Sequence, residues 1–206
     1  LIFKSFEEIG YRIDAKVLDA ANFGVPQFRK RAIFIGNKLG VDISFPESTH
    51  GLNSNQIDIF NSNELRPFVT VGEALKGLTN KSNIPNHNIS KHAEIVHKRM
   101  SYVPEGGNQK DIPKEFKPPQ KFKNTYGRLN RSLPSNTIHT RFDVASTGSL
   151  YHPTKNRALS VREGARLQSF PDDFKFFGQK GSQYRQVGNA VPPRLAEAIG
   201  RHILEQ

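Results

Sequence analysis

The chain has 206 residues, 35% of them hydrophobic, a mean hydropathy of -0.59 and a formal charge of +11, with 30 Lys and Arg against 19 Asp and Glu. It contains no cysteine, which excludes disulfides, zinc–thiolate sites and a thiol nucleophile within the chain. No 18-residue apolar run and no signal-peptide core occurs, so neither membrane insertion nor secretion is marked.

Residues 1–45 open with Leu1 to Gly10, an amphipathic helical pattern closed by glycine. A chain that begins inside such a pattern is expected to be a fragment. Arg12 to Asp19 and Arg31 to Gly36 read as strands, and the short connection between them demands antiparallel pairing. Within that connection lies Gly24-Val25-Pro26-Gln27-Phe28-Arg29-Lys30-Arg31. Read as extended chain, it projects Gln27, Arg29 and Arg31 to one side. Two rigid guanidiniums suit a phosphate or a base edge; a surface strand with solvated arginines is the plainer alternative.

Residues 46–150 are richer in Asn, Ser, Pro and Gly, with Val71 to Leu78 as the clearest helix. Between Lys98 and Arg131 nine basic residues (Lys98, Arg99, Lys110, Lys114, Lys117, Lys121, Lys123, Arg128 and Arg131) face three acids, Glu105, Asp111 and Glu115. Such a patch is the footprint of a polyanionic partner or else a solvated loop. Pro104, Gly106, Gly107, Pro113, Pro118 and Pro119 predict mostly loop there. Thr137 to Phe142 alternates like a strand, with Ile138, Thr140 and Phe142 on one face.

In residues 151–206, Ser160-Val161-Arg162-Glu163 is a capping box opening a helix through Ala165, Leu167 and Gln168 that stops before Pro171. Arg162 and Arg166, one turn apart, are placed to pair with Glu163, Asp172 or Asp173, which makes this helix a scaffold. A short helix, Ser182 to Val187, ends at Gly188, and Pro192-Pro193 opens the last helix, with Leu195, Ala198, Ile199 and Ile203 on one face. Taken alone, Gly188-Asn189-Ala190-Val191-Pro192-Pro193 could be an ordinary helix connection.

In order, these blocks (Gly-Val-Pro-Gln-x-Arg-x-Arg, a variable basic region, Asn-Thr-Ile, the Ser160 helix, Gln-Val-Gly-Asn-Ala-Val-Pro-Pro) resemble the C-terminal half of a DNA (cytosine-5) methyltransferase of the restriction-modification type. The resemblance spans nearly the whole chain and is weakest over 46–124. It implies a fragment of an α/β class I methyltransferase, Rossmann-like, with antiparallel edge strands and closing helices flanking a small loop-rich α+β recognition domain. On this reading 1–45 are C-terminal strands of the catalytic domain and 46–150 the target recognition domain. Residues 151–206 return through a scaffold helix to the motif that closes the cofactor pocket.

The resemblance also implies chemistry. The partner is duplex DNA, whose target cytosine is flipped out of the helix, and the methyl donor is S-adenosylmethionine. A cysteine thiolate attacks C6, the methyl group passes to C5, and elimination follows. By matching position Arg31 would contact the O2 edge of the cytosine, with Arg29 supporting the pocket and Gln27 on the same wall. Thr137 would sit by the phosphate flanking the target, with Arg128, Arg131, His139 and Arg141 as DNA contacts around it. Asn189 would give an amide to the cofactor beside Ala190 and Val191, and Gly188 would allow close backbone approach.

No metal is implied, and the expected location is the bacterial cytoplasm, at the nucleoid. The chain shows no Phe-x-Gly-x-Gly loop, no Pro-Cys and no Glu-Asn-Val. An N-terminal catalytic half, in the same polypeptide or a separate subunit, is therefore implied, and the chain alone is expected to be inactive. The rival reading is a non-catalytic, sequence-specific DNA-binding module, a methyltransferase remnant.

Overall fold

The computed structural model describes residues 2–52, 65–119, 125–144 and 148–206; Leu1, Lys121 and Lys123, named above, lie outside these. Helix α1 spans Ile2–Glu7 and leads through Gly10, at φ +84°, into β1, Arg12–Asp19. Strand β2, Lys30–Asn37, pairs with β1 antiparallel, Arg12 opposite Asn37 and Asp19 opposite Lys30. The connection begins as a 3-10 turn over Ala20–Phe23. Asp19 caps it by accepting from the Ala21 N–H, and Gly24 ends it at φ +75°, a conformation that favours glycine.

Beyond the hairpin, β3 (His50–Gly51) and β4 (Arg66–Pro67) form a two-residue parallel pair, and α2 (Val71–Leu75) starts at a Thr70–Glu73 capping box. The basic segment is mostly loop, as expected, but it opens inside a helix. Helix α3, Glu94–Tyr102, carries Lys98 and Arg99, because Val96, Met100 and Val103 recur at helical spacing and seat in a cluster with Ile112, Tyr126 and Tyr151. Two 3-10 turns follow, Gln109–Asp111 and Lys114–Phe116.

The expected strand at Thr137 to Phe142 is likewise absent, since the chain turns from Thr140 onward. Its alternation reflects Ile138 and Phe142 both entering the core. The backbone at Ile138 is bonded by side chains rather than by a neighbouring strand: its N–H donates to Gln27 Oε1 and its carbonyl accepts from Arg29.

Helix α4, Val161–Leu167, has the expected Ser160–Glu163 capping box. Arg162, expected to pair with an acid, is instead fully buried and donates to the carbonyls of Pro85, Pro171 and Phe174. Glu163 takes Arg157 through two 2.7 Å hydrogen bonds, and Arg166 takes Asp172 at 2.6 Å. Helix α5 runs Lys180–Asn189, longer at both ends than expected, and α6 runs Pro193–Leu204.

Three apolar clusters tie these elements together. The largest joins α2, Leu129, Ile138 and Phe142 to α4 and α5; the second surrounds Met100. The third seats α6, through Leu195, Ala198 and Ile199, on Leu18, Ala20, Phe23, Val25 and Ile33 of the hairpin, so the two ends of the chain meet. On the rest of the hairpin and α1, Ile2, Phe3, Phe6, Val17 and Phe34 stay exposed, Val17 by 64%. Among the described residues no helix is long and apolar enough to cross a membrane.

Candidate functional site

The site is built on a polar knot at the foot of the hairpin. Residues 26–28 run parallel to the segment at Ser135: Phe28 N–H donates to Ser135 O at 2.9 Å and Ser135 N–H to Pro26 O at 3.0 Å. Gln27, fully buried, accepts from Ile138 N–H at 2.6 Å and donates to Gln168 Oε1 at 3.0 Å and Leu167 O at 3.3 Å. Gln168 passes the bonding on to Val187 O at 2.8 Å. Every polar atom of these two buried amides has a reason to hold one geometry, because an unpaired buried donor or acceptor costs roughly 1–3 kcal/mol.

Arg29 completes the knot. Its guanidinium donates to Ile138 O at 3.0 Å, Gly188 O at 2.9 Å and Ala190 O at 3.1 Å. Burial, and secondarily the charge of Arg31, pulls its pKa down to about 10, so it remains a cation at neutral pH. Among the described residues its guanidinium is bonded to no carboxylate; three carbonyl dipoles solvate the charge. Segments 27–29, 136–138, 167–168 and 187–190, scattered over the chain, are thereby bolted into one unit.

This changes the picture of a two-armed fork. Gln27 and Arg29 precede β2 rather than lying on a strand, and both point inward; Arg31, the second residue of β2, is exposed. Arg31 opens into a cavity of roughly 360 Å³ lined also by Asp19, Phe28, Lys30, Asn136 and Thr137. Thr137, whose Oγ donates to Phe28 O at 2.8 Å, thus stands on the same cavity as Arg31 although 106 positions separate them. Sequence reasoning missed Phe28, Lys30, Asn136 and Asp19 here. The lone aromatic inside a Gln-Phe-Arg-Lys-Arg run was the available signal for Phe28.

The other expected DNA contacts divide. Arg128 is corrected: it is buried and donates to Val103 O, His152 O, Lys155 O, Met100 O and Asn156 Oδ1, so its charge holds loops together and does not face a partner. Arg131 is exposed but bidentate with Glu105, at 3.0 and 3.1 Å. His139 is half-buried, and burial pushes its pKa down against the pull of Asp143; its Nδ1 accepts from Arg141 N–H. Arg141 is exposed, 3.5 Å from Asp143. Arg99 donates to Phe116 O and the Tyr126 hydroxyl. Within the described part of the basic segment, the exposed cations not paired with an acid are Lys98, whose ammonium lies 4.1 Å from the centre of the Phe116 ring, Lys110, Lys114 and Lys117.

The turn at Gly188 to Val191 divides in the same way. Gly188 is inside α5 and buried, and a Cβ there would stand 2.6 Å from the carbonyl carbon of His139 and the amide of Thr140. Its smallness serves that chain crossing. Ala190 turns its carbonyl inward to Arg29. Asn189 and Val191 are exposed at the helix end, an amide and an apolar side chain facing outward.

Residues 1–205 match the family model for C-5 cytosine-specific DNA methylase. Similar curated proteins include Type II methyltransferase M1.HphI of Haemophilus parahaemolyticus, 41% identical over 99% of this chain and 51% of that protein. Type II methyltransferase M.NgoFVII of Neisseria gonorrhoeae is 39% identical over 98% of this chain and 52% of its own length. The chain thus spans about half the length of the curated relatives it matches. Among solved structures, a DNA modification methyltransferase encoded within an E. coli prophage superposes with a TM-score of 0.67 at 24% identity, covering 98% of this chain and 64% of that one. The S. pombe Dnmt2 methyltransferase does so at 0.61 and 13% identity, covering 99% and 60%. At these identities the likeness is one of fold.

Proposed function

The chain belongs to the C-5 cytosine-specific DNA methylases, and from that premise we propose that it supplies the base-side wall and the cofactor-closing turn of a cytosine-5 methyltransferase acting on duplex DNA. The observation that carries the reading is the shared cavity of Arg31 and Thr137, held in register with residues 188–190 by Arg29. A permanently charged, planar donor at the cavity suits the carbonyl edge of a flipped cytosine. Thr137 beside it would meet the flanking phosphate. Asn189 and Val191 would border S-adenosylmethionine, which supplies the methyl group when bound.

Residues 46–150 would form the target recognition domain. Its exposed lysines, with Arg31, Lys30 and Arg141, would provide the phosphate contacts that dominate nonspecific affinity. With no cysteine in the chain, the nucleophile would come from an N-terminal half. That half would cover the apolar face left open by Phe3, Phe6, Val17 and Phe34. Pairing the chain with it and following methyl transfer from labelled S-adenosylmethionine to duplex DNA tests the reading. Incorporation supports it, and a folded, paired but inert complex would favour the non-catalytic DNA-binding module.

A further inference from the structure

Phe28 lies between two buried side chains, Gln27 and Arg29, yet is itself 39% exposed. Its backbone is clamped on both sides, N–H to Ser135 O and carbonyl from Thr137 Oγ. The side chain is therefore committed to the cavity it shares with Lys30, Arg31, Asn136 and Thr137. Phe68 stands edge-on to it, ring centres 5.6 Å apart at 82°, fixing the tilt of the ring without closing it off. An aromatic ring held rigidly beside cations is the composition of a base-stacking site, where the ring takes the base's π face and the cations its backbone.

We propose that Phe28 is the stacking face for the nucleobase this cavity receives. The proposal rests on the reading of the chain as part of a cytosine methyltransferase. It assigns the ring a contact that neither Arg31 nor Thr137 can make, since both address the polar edges of the nucleotide.

The test is a cycle between this ring and its base in the complete protein, the chain together with its N-terminal half. Two duplexes are used, one with the cytosine that the enzyme methylates and one with an abasic site in its place. Phe28→Ala is expected to weaken binding of the first duplex about tenfold or more. Its dependence on salt should stay unchanged, because no phosphate contact is lost. On the abasic duplex the same variant should cost nothing further, and Phe28→Trp should bind both like wild type. An equal loss on both duplexes, or none on either, overturns the stacking role. Wild-type protein that fails to bind duplex DNA at all overturns the underlying reading as well; wild type that binds while Phe28→Ala loses nothing overturns the stacking role alone. Thermal melting of each variant, recorded on the same samples, keeps any loss of folding out of the comparison.

Discussion

Gln27 and Gln168 meet amide to amide at 3.0 Å in the core, although 141 positions separate them. Together with Arg29 they join the hairpin, the Thr137 segment, the end of α4 and the end of α5 by hydrogen bonds rather than by apolar packing. Positions on either side of that knot carry the proposed chemistry.

Arg29→Met removes the donor for three carbonyls, two of them bonded at sites buried from solvent. Losing charged hydrogen bonds of this kind costs on the order of 3–5 kcal/mol. Urea unfolding should show the midpoint falling accordingly, with Arg29→Lys falling less because it keeps the charge and one or two of the bonds. A midpoint unchanged in Arg29→Met would remove the knot from the account.

Gly188→Ala puts a methyl group against the backbone of His139 and Thr140, where no flexible side chain can give way. Overpacking of this sort costs about 1–3 kcal/mol or more. Thermal melting should drop clearly for Gly188→Ala and hardly at all for Gly200→Ala, where a Cβ meets nothing within 4 Å. Equal melting of the two would contradict the crossing as the reason for glycine at 188.

The pH dependence follows from buried histidines. Burial chiefly, with Arg157 and other cations nearby and against Glu163, lowers His152 to about 4 from its ordinary 6.5. The unfolded chain therefore takes up this proton before the folded one as pH falls. Stability is fully present above about 6.5 and is lost progressively toward about 4, by on the order of 3 kcal/mol. His92 and His139, also pushed down mainly by burial, act in the same direction. Melting temperatures recorded from pH 8 down to 4.5 should fall, and His152→Asn should flatten the fall. A flat wild-type profile would contradict this.

Duplex DNA binding should weaken linearly in log affinity against log salt, by roughly 0.9 per phosphate contacted. Alanine at Lys110 or Lys114 should reduce that slope without lowering stability, whereas Arg128→Met should lower stability because five acceptors lose their donor. A salt-independent affinity would remove the lysines from the interface.

Local features were legible in the sequence: the hairpin, the capping box at Ser160, the apolar face of α6. Each depends on spacing within one element. Placement of Arg128 and Arg29 was not, because whether a guanidinium faces solvent or a ring of carbonyls is decided by segments far away in the chain. The same holds for Gly188, whose neighbour in space is His139. The strand pattern at Thr137 to Phe142 misled because alternation records burial, not a hydrogen-bonded partner.

In the proposed enzyme Arg31, not Arg29, meets the substrate. The most direct measurement is methyl transfer to duplex DNA by the chain paired with its N-terminal half, wild type against Arg31→Ala, with melting recorded on the same samples. Because Arg31 is exposed and, among the described residues, bonds only to the neighbouring Lys30 carbonyl, melting is expected to stay unchanged within about 0.5 kcal/mol and transfer to fall by two orders of magnitude or more, roughly the cost of losing one preorganised donor. Arg31→Ala that transfers methyl groups like wild type would contradict it.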